Sequence, residues 1–528
     1  MFRSMSNITR SFVLIILSAV SIEAQVSVLM SRYDIGTTAA NPKENVLTSG
    51  NVNATTFGRL FTYYVDGAVY AQPLYVPSVR IAGKGTHNIV YIATMNDKVY
   101  AFDADHAGPP LWLRDLTDEP AGITPVPVID ITNRNDLNLV GNVGILGTPV
   151  IDPVAHAIYF VARTKENGNY LQRLHKLDIA SGKHLTPPAT IEAAVRSSNK
   201  DGVNGLLHFD PKAGNQRPAL ALVNGNIIVA WASHEDIRPY HGWVMSYSAA
   251  TLKQTGVFCV DPVGTMGGIW QSGRGPAVDP TGAFYFETGN GDWDGEQDFG
   301  TSVIKMRVRD NKLVVEDYFT PHDYKALNDR DADLGSTGPL LVPGTHILIC
   351  GSKKGILYLL DTAKLGHLTP DDSGVLQTLP VNGGRALAGP AYWDGPNGGI
   401  LYTWFEADFL KGFRFNGKTL ETTAFAHGKE GSRGSPGGAL TVSSNGKQPG
   451  TGVVWATLTT SGSADHGNRP GILRASNAET LEEIWNSEMQ SKRDRLGTLV
   501  KFVPPMVANG KVYVPNYDNA VNVYGLLH

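Results

Sequence analysis

Residues 88–116, NIVYIATMNDKVYAFDADHAGPPLWLRDL, decide the fold class of this chain. The stretch divides at two turns: NIVYIATM precedes the polar pair Asn96-Asp97, KVYAFDA follows it, and LWLRDL comes after Gly108-Pro109-Pro110. Alternating apolar positions rich in β-branched and aromatic residues favour strands, whereas Asn-Asp and Gly-Pro-Pro suit tight turns. YAQPLYV at 70–76 supplies a fourth strand just upstream. Four antiparallel strands in chain order, innermost first, form one blade of a β-propeller.

The unit recurs. A proline or alanine leading a short apolar run stands at Pro73, Pro149, Pro218, Pro276, Pro339, Pro390, Ala439 and Pro505, giving eight starts at uneven spacing. Each is followed by further strand-like runs, such as AIYFVART (157–164), NIIVAWAS (226–233) and ILYLLD (356–361). The last unit ends at VNVYG (521–525) with almost no chain left for an outer strand. GRLFTYYVDG (58–67) is strand-like and has no hairpin partner before it, so it fills that place and closes the ring without an open edge. The expectation is all-β: an eight-bladed β-propeller of four-stranded blades at 58–528, closed by an N-terminal strand on the last blade. An extended lead-in at 25–57 precedes it.

The chain has 528 residues, 42% hydrophobic and 18% charged, with 58 glycines, which suits a large core assembled from repeats. Forty-five basic against 49 acidic residues, with no basic run, give nucleic-acid binding no electrostatic basis. Arg3, Arg10, an apolar run at 12–22 and Ala24 read as an export signal over 1–24. That run is too short to span a bilayer comfortably, and no later segment reads as a span. The expected setting is secreted or periplasmic, and the expected partner a small molecule or a protein. Cys259 and Cys350 are the only cysteines, too few for a disulfide scaffold, and read as buried small residues on different blades.

GFRFNGKT at 412–419 matches the phosphate-loop pattern by letter, but Asn416-Gly417 reads as a hairpin turn with no helix to follow. Asn290, Asp292, Asp294, Glu296 and Asp298 place oxygen donors at every second position, with Gly295 sixth. This is the first half of a calcium loop, and Thr301 stands where its closing glutamate belongs. The alternative is a solvated turn between strands. His208, His234, His241 and His322 show no ligand spacing.

GGIWQSGRGPAVDPTGAFYFETGNGDWDGEQDFG (267–300), DYFTPHDYKALNDRDADLGSTGPLLVP (317–343) and GSKKGILYLLD (351–361) resemble the quinoprotein alcohol dehydrogenases. VGILGTPVID, HGWVMSY and DADLGSTGP look like those of uncharacterised secreted propellers of quinoprotein type. The resemblance implies an exported eight-bladed propeller that holds pyrroloquinoline quinone (PQQ) with calcium or a lanthanide. It implies Trp270 beneath the quinone and Lys353 at its oxygens, Asn290 and Glu235 as metal ligands, Asp331 as catalytic base, and Asp333 as the extra carboxylate of the lanthanide type. The chain also departs from the pattern. NLVGNVG at 138–144 stands where the family carries adjacent cysteines, Ala71 where it carries an acid, and Ala386-Leu387 where it carries Asn-Trp. Two readings follow: a binding or interaction propeller with a degraded quinone pocket, or a quinone- and metal-dependent dehydrogenase of an alcohol or sugar.

Overall fold

The structure, a computed structural model, describes residues 26–132, 139–381, 383–465 and 467–527. The export signal read at 1–24, and Asn138, lie outside the described residues. Eight blades of four antiparallel strands surround one axis, as the repeat requires. In the first blade Leu74–Ile81, Gly85–Ala93, Lys98–Asp103 and Trp112–Asp115 pair in that order. Its innermost strand begins at Leu74 rather than at residue 70. Pro73 has no N–H for a ladder, and the Gln72 N–H goes instead to Thr148 Oγ1 at 2.9 Å. The other innermost strands are Val150–Asp152, Ala221–Val223, Ala277–Val278, Leu340–Leu341, Ala391–Gly395, Ala439–Ser443 and Met506–Ala508. All start at or just after the positions read from sequence.

The N-terminal strand Phe57–Tyr64 closes the ring. It runs antiparallel to Ala520–Leu526, with Phe57 opposite Leu526 and Tyr64 opposite Ala520. Phe57 is fully buried and anchors this join against Trp455 and Trp485, at centroid distances of 5.4 and 4.9 Å. Neighbouring blades pack through shared apolar clusters, such as Tyr159, Trp231 and Met245 between the second and third.

The segment before that strand runs inside the ring. Every innermost strand turns a row of unpaired main-chain groups towards the axis, and buried groups of this kind must be satisfied. Residues 28–41 meet them in blade order. Val28 exchanges two hydrogen bonds with Tyr75 of the first blade, and Leu29 O accepts from Ile151 of the second. Met30 packs on the cluster shared by the second and third blades. Ile35, Gly36, Thr38 and Ala39 carbonyls then accept the N–H groups of Val278, Leu341, Tyr392 and Val442, in the fourth to seventh blades. Asn41 Nδ2 donates to Val507 O of the eighth, at 3.0 Å. A circle this tight needs left-handed backbone: Arg32, Tyr33, Thr37 and Ala39 take φ of 62°, 76°, 58° and 61°.

Buried Arg274 ties this segment to the ring. Its guanidinium donates to Thr37 O and, at 2.6 Å, to Pro390 O of the sixth blade. The fully buried Glu287 accepts from Thr337 Oγ1 and Gly338 N, both at 2.9 Å. Burial pushes the Glu287 carboxyl up to about 8, against hydrogen bonds and the Arg274 charge that pull it down.

Cys259 and Cys350 are buried and unpaired, in the third and fifth blades, and burial pushes both thiols up. The phosphate-loop letters fall on a hairpin turn, where Asn416 Oδ1 accepts from Lys418 N and Thr419 N at 3.0 and 2.8 Å. No described helix is long and apolar enough to cross a membrane.

Candidate functional site

A cavity of ≈ 260 Å³ opens on the axis where the innermost strands begin. Its walls are the loops leading into those strands and the loops that follow the second strands. The N-terminal segment lies further along the same innermost strands.

Asp331 and Asp333 sit between the helix Tyr324–Asp329 and the innermost strand of the fifth blade. Lys353 follows the second strand of that blade, Ile347–Ser352. Its ammonium stands between the two carboxylates, 2.5 Å from Asp331 Oδ1 and 2.7 Å from Asp333 Oδ1. Asn290, from the fourth blade, donates through Nδ2 to Asp331 Oδ1 at 2.8 Å and through its main-chain N–H to Asp333 Oδ2 at 3.1 Å. Asn290 Oδ1 is buried and has no partner among the described residues. Gly289 and Gly335 leave room for Asp333, since a Cβ at either would come within 2.6 or 3.0 Å of its Oδ2.

The two acids differ in exposure. The Asp333 side chain is 1% exposed and that of Asp331 55%. Burial pushes the Asp333 carboxyl up, opposed by the Lys353 charge. For Lys353, burial acts downward but the carboxylates of Asp333 and Asp331 outweigh it and hold the ammonium above its usual range.

Trp270 leads into the fourth blade and lines the same cavity. Its indole N–H donates to Ser233 O at 3.1 Å, and Tyr240 meets its ring edge-on at 6.0 Å. Gly268 and Gly289 lie against its ring, where a Cβ at either would come within 2.6 Å of a ring carbon. Glu235, after the second strand of the third blade, also lines the cavity. Of the eight residues singled out in sequence, the structure therefore brings six together: Glu235, Trp270, Asn290, Asp331, Asp333 and Lys353.

Asp292 and Asp294 do not join them. Asp292 Oδ2 accepts from Thr265 N and Oγ1 at 2.9 and 3.2 Å. Asp294 Oδ1 accepts the N–H groups of Glu296, Gln297 and Asp298 at 2.8, 2.8 and 2.9 Å. Asp294 builds the turn itself, as Asp commonly does, whereas Asp292 ties the turn to the loop at Thr265. Among the described residues no group of three or more His, Cys, Asp or Glu side chains is drawn together as a metal site.

Sequence reasoning missed several wall residues, including Tyr70, Arg217, Arg385 and Phe502. The repeat held the signal: Arg217 and Tyr70 stand just before the starts at Pro218 and Pro73, where every blade faces the axis. Leu139 and Leu387, at the departures noted above, line the cavity, while Ala71 and Ala386 are buried.

No family model matches this chain. No curated protein matches it. Among solved structures it is similar to the quinohemoprotein alcohol dehydrogenase ADHIIG from Pseudomonas putida HK5. The TM-score is 0.55 at 13% identity, covering 95% of this chain and 80% of that one. At this identity the likeness shows the fold alone, an eight-bladed β-propeller shared with that quinohemoprotein.

Proposed function

We propose that this chain is an exported quinoprotein-like propeller that binds a small polar molecule in its axial cavity, with its own lysine standing where a bound cation would act. The observation that carries this reading is the Lys353 ammonium between Asp331 and Asp333, at 2.5 and 2.7 Å. Two carboxylates and the Asn290 amide oxygen are hard donors of the kind calcium or a lanthanide takes. Here Lys353 already neutralises both carboxylates, so a metal would have to displace an ammonium held by two charges. These residues do not fit the metal that the resemblance implies. PQQ would meet Trp270 on one side, but leucines and alanines stand at the positions that depart from the family pattern, so the pocket is degraded for that ligand.

What the wall offers is recognition. Trp270 presents an apolar ring, Asn290 Oδ1 an unused acceptor, and Asp331 a half-open carboxylate. Flat apolar faces beside acceptors suit hydroxylated rings and chains. Calorimetric titration with sugars and polyols tests this, run on the wild type and on Trp270→Leu. Saturable binding that the substitution abolishes, with the fold intact, is the expected result. A wild type that binds none of them, and no sugar acid, refutes it.

A second reading, a PQQ-dependent dehydrogenase, is favoured by Trp270, Asn290, Asp331 and Lys353 lining one cavity. Dye-linked alcohol oxidation by protein supplied with PQQ and calcium, lost in Asp331→Asn, would establish it.

A further inference from the structure

The cavity is chemically two-ended. On the third to fifth blades its wall is acidic, with Glu235, Asp236, Asp331 and Asp333, the last two paired with Lys353. Its floor carries Arg217, which is 9% exposed. The guanidinium lies between the rings of Tyr70 and Phe502, at 6.0 and 5.9 Å from their centroids. Gly273 makes room for it, since a Cβ there would come within 2.7 Å of Nη1. Among the described residues Arg217 pairs with no carboxylate, and its side chain makes one long hydrogen bond, from Nη2 to Lys501 O at 3.4 Å.

A buried guanidinium normally has a carboxylate or a full set of carbonyls. Among the described residues Arg217 has neither, and a further buried arginine feels its charge. Arg32, 1% exposed, feels the charges of both Arg274 and Arg217, and its Nε has no partner. Glu287, the buried carboxylate beside Arg274, is already engaged by Thr337 and Gly338. Two guanidiniums line the cavity. Arg385 is held by Glu406 and Asp465, both at 2.7 Å, whereas Arg217 has donors to spare.

We infer that the ligand is a hydroxy acid of sugar-acid type, with its single carboxylate on Arg217 and its hydroxyls towards Asn290 and Asp331. This rests on the cavity being a small-molecule site. A planar guanidinium matches a carboxylate through paired hydrogen bonds. A neutral sugar leaves Arg217 unsatisfied, whereas a polyanion meets repulsion from Glu235 and Asp331. The volume of ≈ 260 Å³ is close to the low end of roughly 300–1,000 Å³ for ligand cavities, which favours a monosaccharide-sized molecule.

Calorimetry on the full chain decides it, with glucuronate, galacturonate, galacturonate methyl ester, glucose, and inorganic phosphate as titrants. The acids are expected to bind at least about tenfold tighter than the ester and glucose. Arg217→Gln should erase that preference, and Arg217→Lys, which keeps the charge, should retain part of it. Unchanged melting curves for the two variants separate lost recognition from lost folding. If Arg217→Gln does not fold, the wild-type ratio of acid to ester still decides. Glucose binding as tightly as the acids would overturn the inference and leave the small-molecule reading standing. Binding of no sugar and no acid would overturn both. Phosphate binding as tightly as glucuronate would overturn the assignment to a carboxylate.

Discussion

The two ends of the axis are built from the same eight innermost strands, yet they use polar groups in opposite ways. At the end filled by residues 28–41, main chain meets main chain blade by blade, and Arg274 gives two of its nitrogens to carbonyls. At the cavity end the loops leave groups unfinished: among the described residues Asn290 Oδ1 lacks a partner and Arg217 has no carboxylate, and Asp331 is half-open. An unmet polar group inside a fold costs stability, whereas one facing a cavity is available to a ligand. The closed end therefore holds the ring together, and the open end is where the proposed ligand would be recognised.

Substitutions at the two ends should separate these roles. Arg274→Ala removes the buried tie between the N-terminal segment and the sixth blade. It is expected to cost about 3–5 kcal/mol in urea denaturation. Glu287 gives the closed end a pH signature. Its folded value of about 8 lies above its ordinary 4.5, so between these pH values the folded state keeps a proton that the unfolded chain has released. That contribution is complete below 4.5 and is lost as pH rises through 8, at about 1.4 kcal/mol per unit. Glu287→Gln, which cannot ionise, should gain on the wild type over that window in melting curves at stepped pH. A constant difference would show that the carboxyl ionises as freely in the fold as outside it. Asp331→Asn at the open end should cost only ~0.5 kcal/mol, because its ion pair is half-exposed. A loss as large as that of Arg274→Ala would break the contrast between the ends.

Much of the fold was legible because strand alternation and turn chemistry act locally. Residues 88–116 read as strands on their own, and the missing outer strand of the last blade located its partner at 58–67, where the structure has Phe57–Tyr64. The path of residues 28–41 was not legible. Those contacts run largely through main-chain groups, which any sequence carries, so side-chain patterning leaves no trace of them. Resemblance collected Trp270, Asn290, Asp331, Asp333 and Lys353, but residue identity cannot reveal that the ammonium settles between the two acids. Spacing misled at Asp292 and Asp294. Alternating carboxylates look the same whether they face a cation or bind main-chain N–H groups, and here Asp294 caps its own turn through residues 296–298 while Asp292 holds the loop at Thr265. Arg217 went unnoticed because arginine usually lies at the surface, and only the ring places it on the axis.

The central claim is that Lys353 does the work of a cation, and titration of the purified protein with PQQ, with and without calcium, tests it most directly. Tryptophan fluorescence, which includes Trp270 in the cavity wall, reports the outcome. The expected result is that calcium adds nothing, because the ammonium keeps its place between Asp331 and Asp333. Saturable, calcium-dependent binding at micromolar concentration or below would contradict it and turn attention to oxidation of alcohols and sugars.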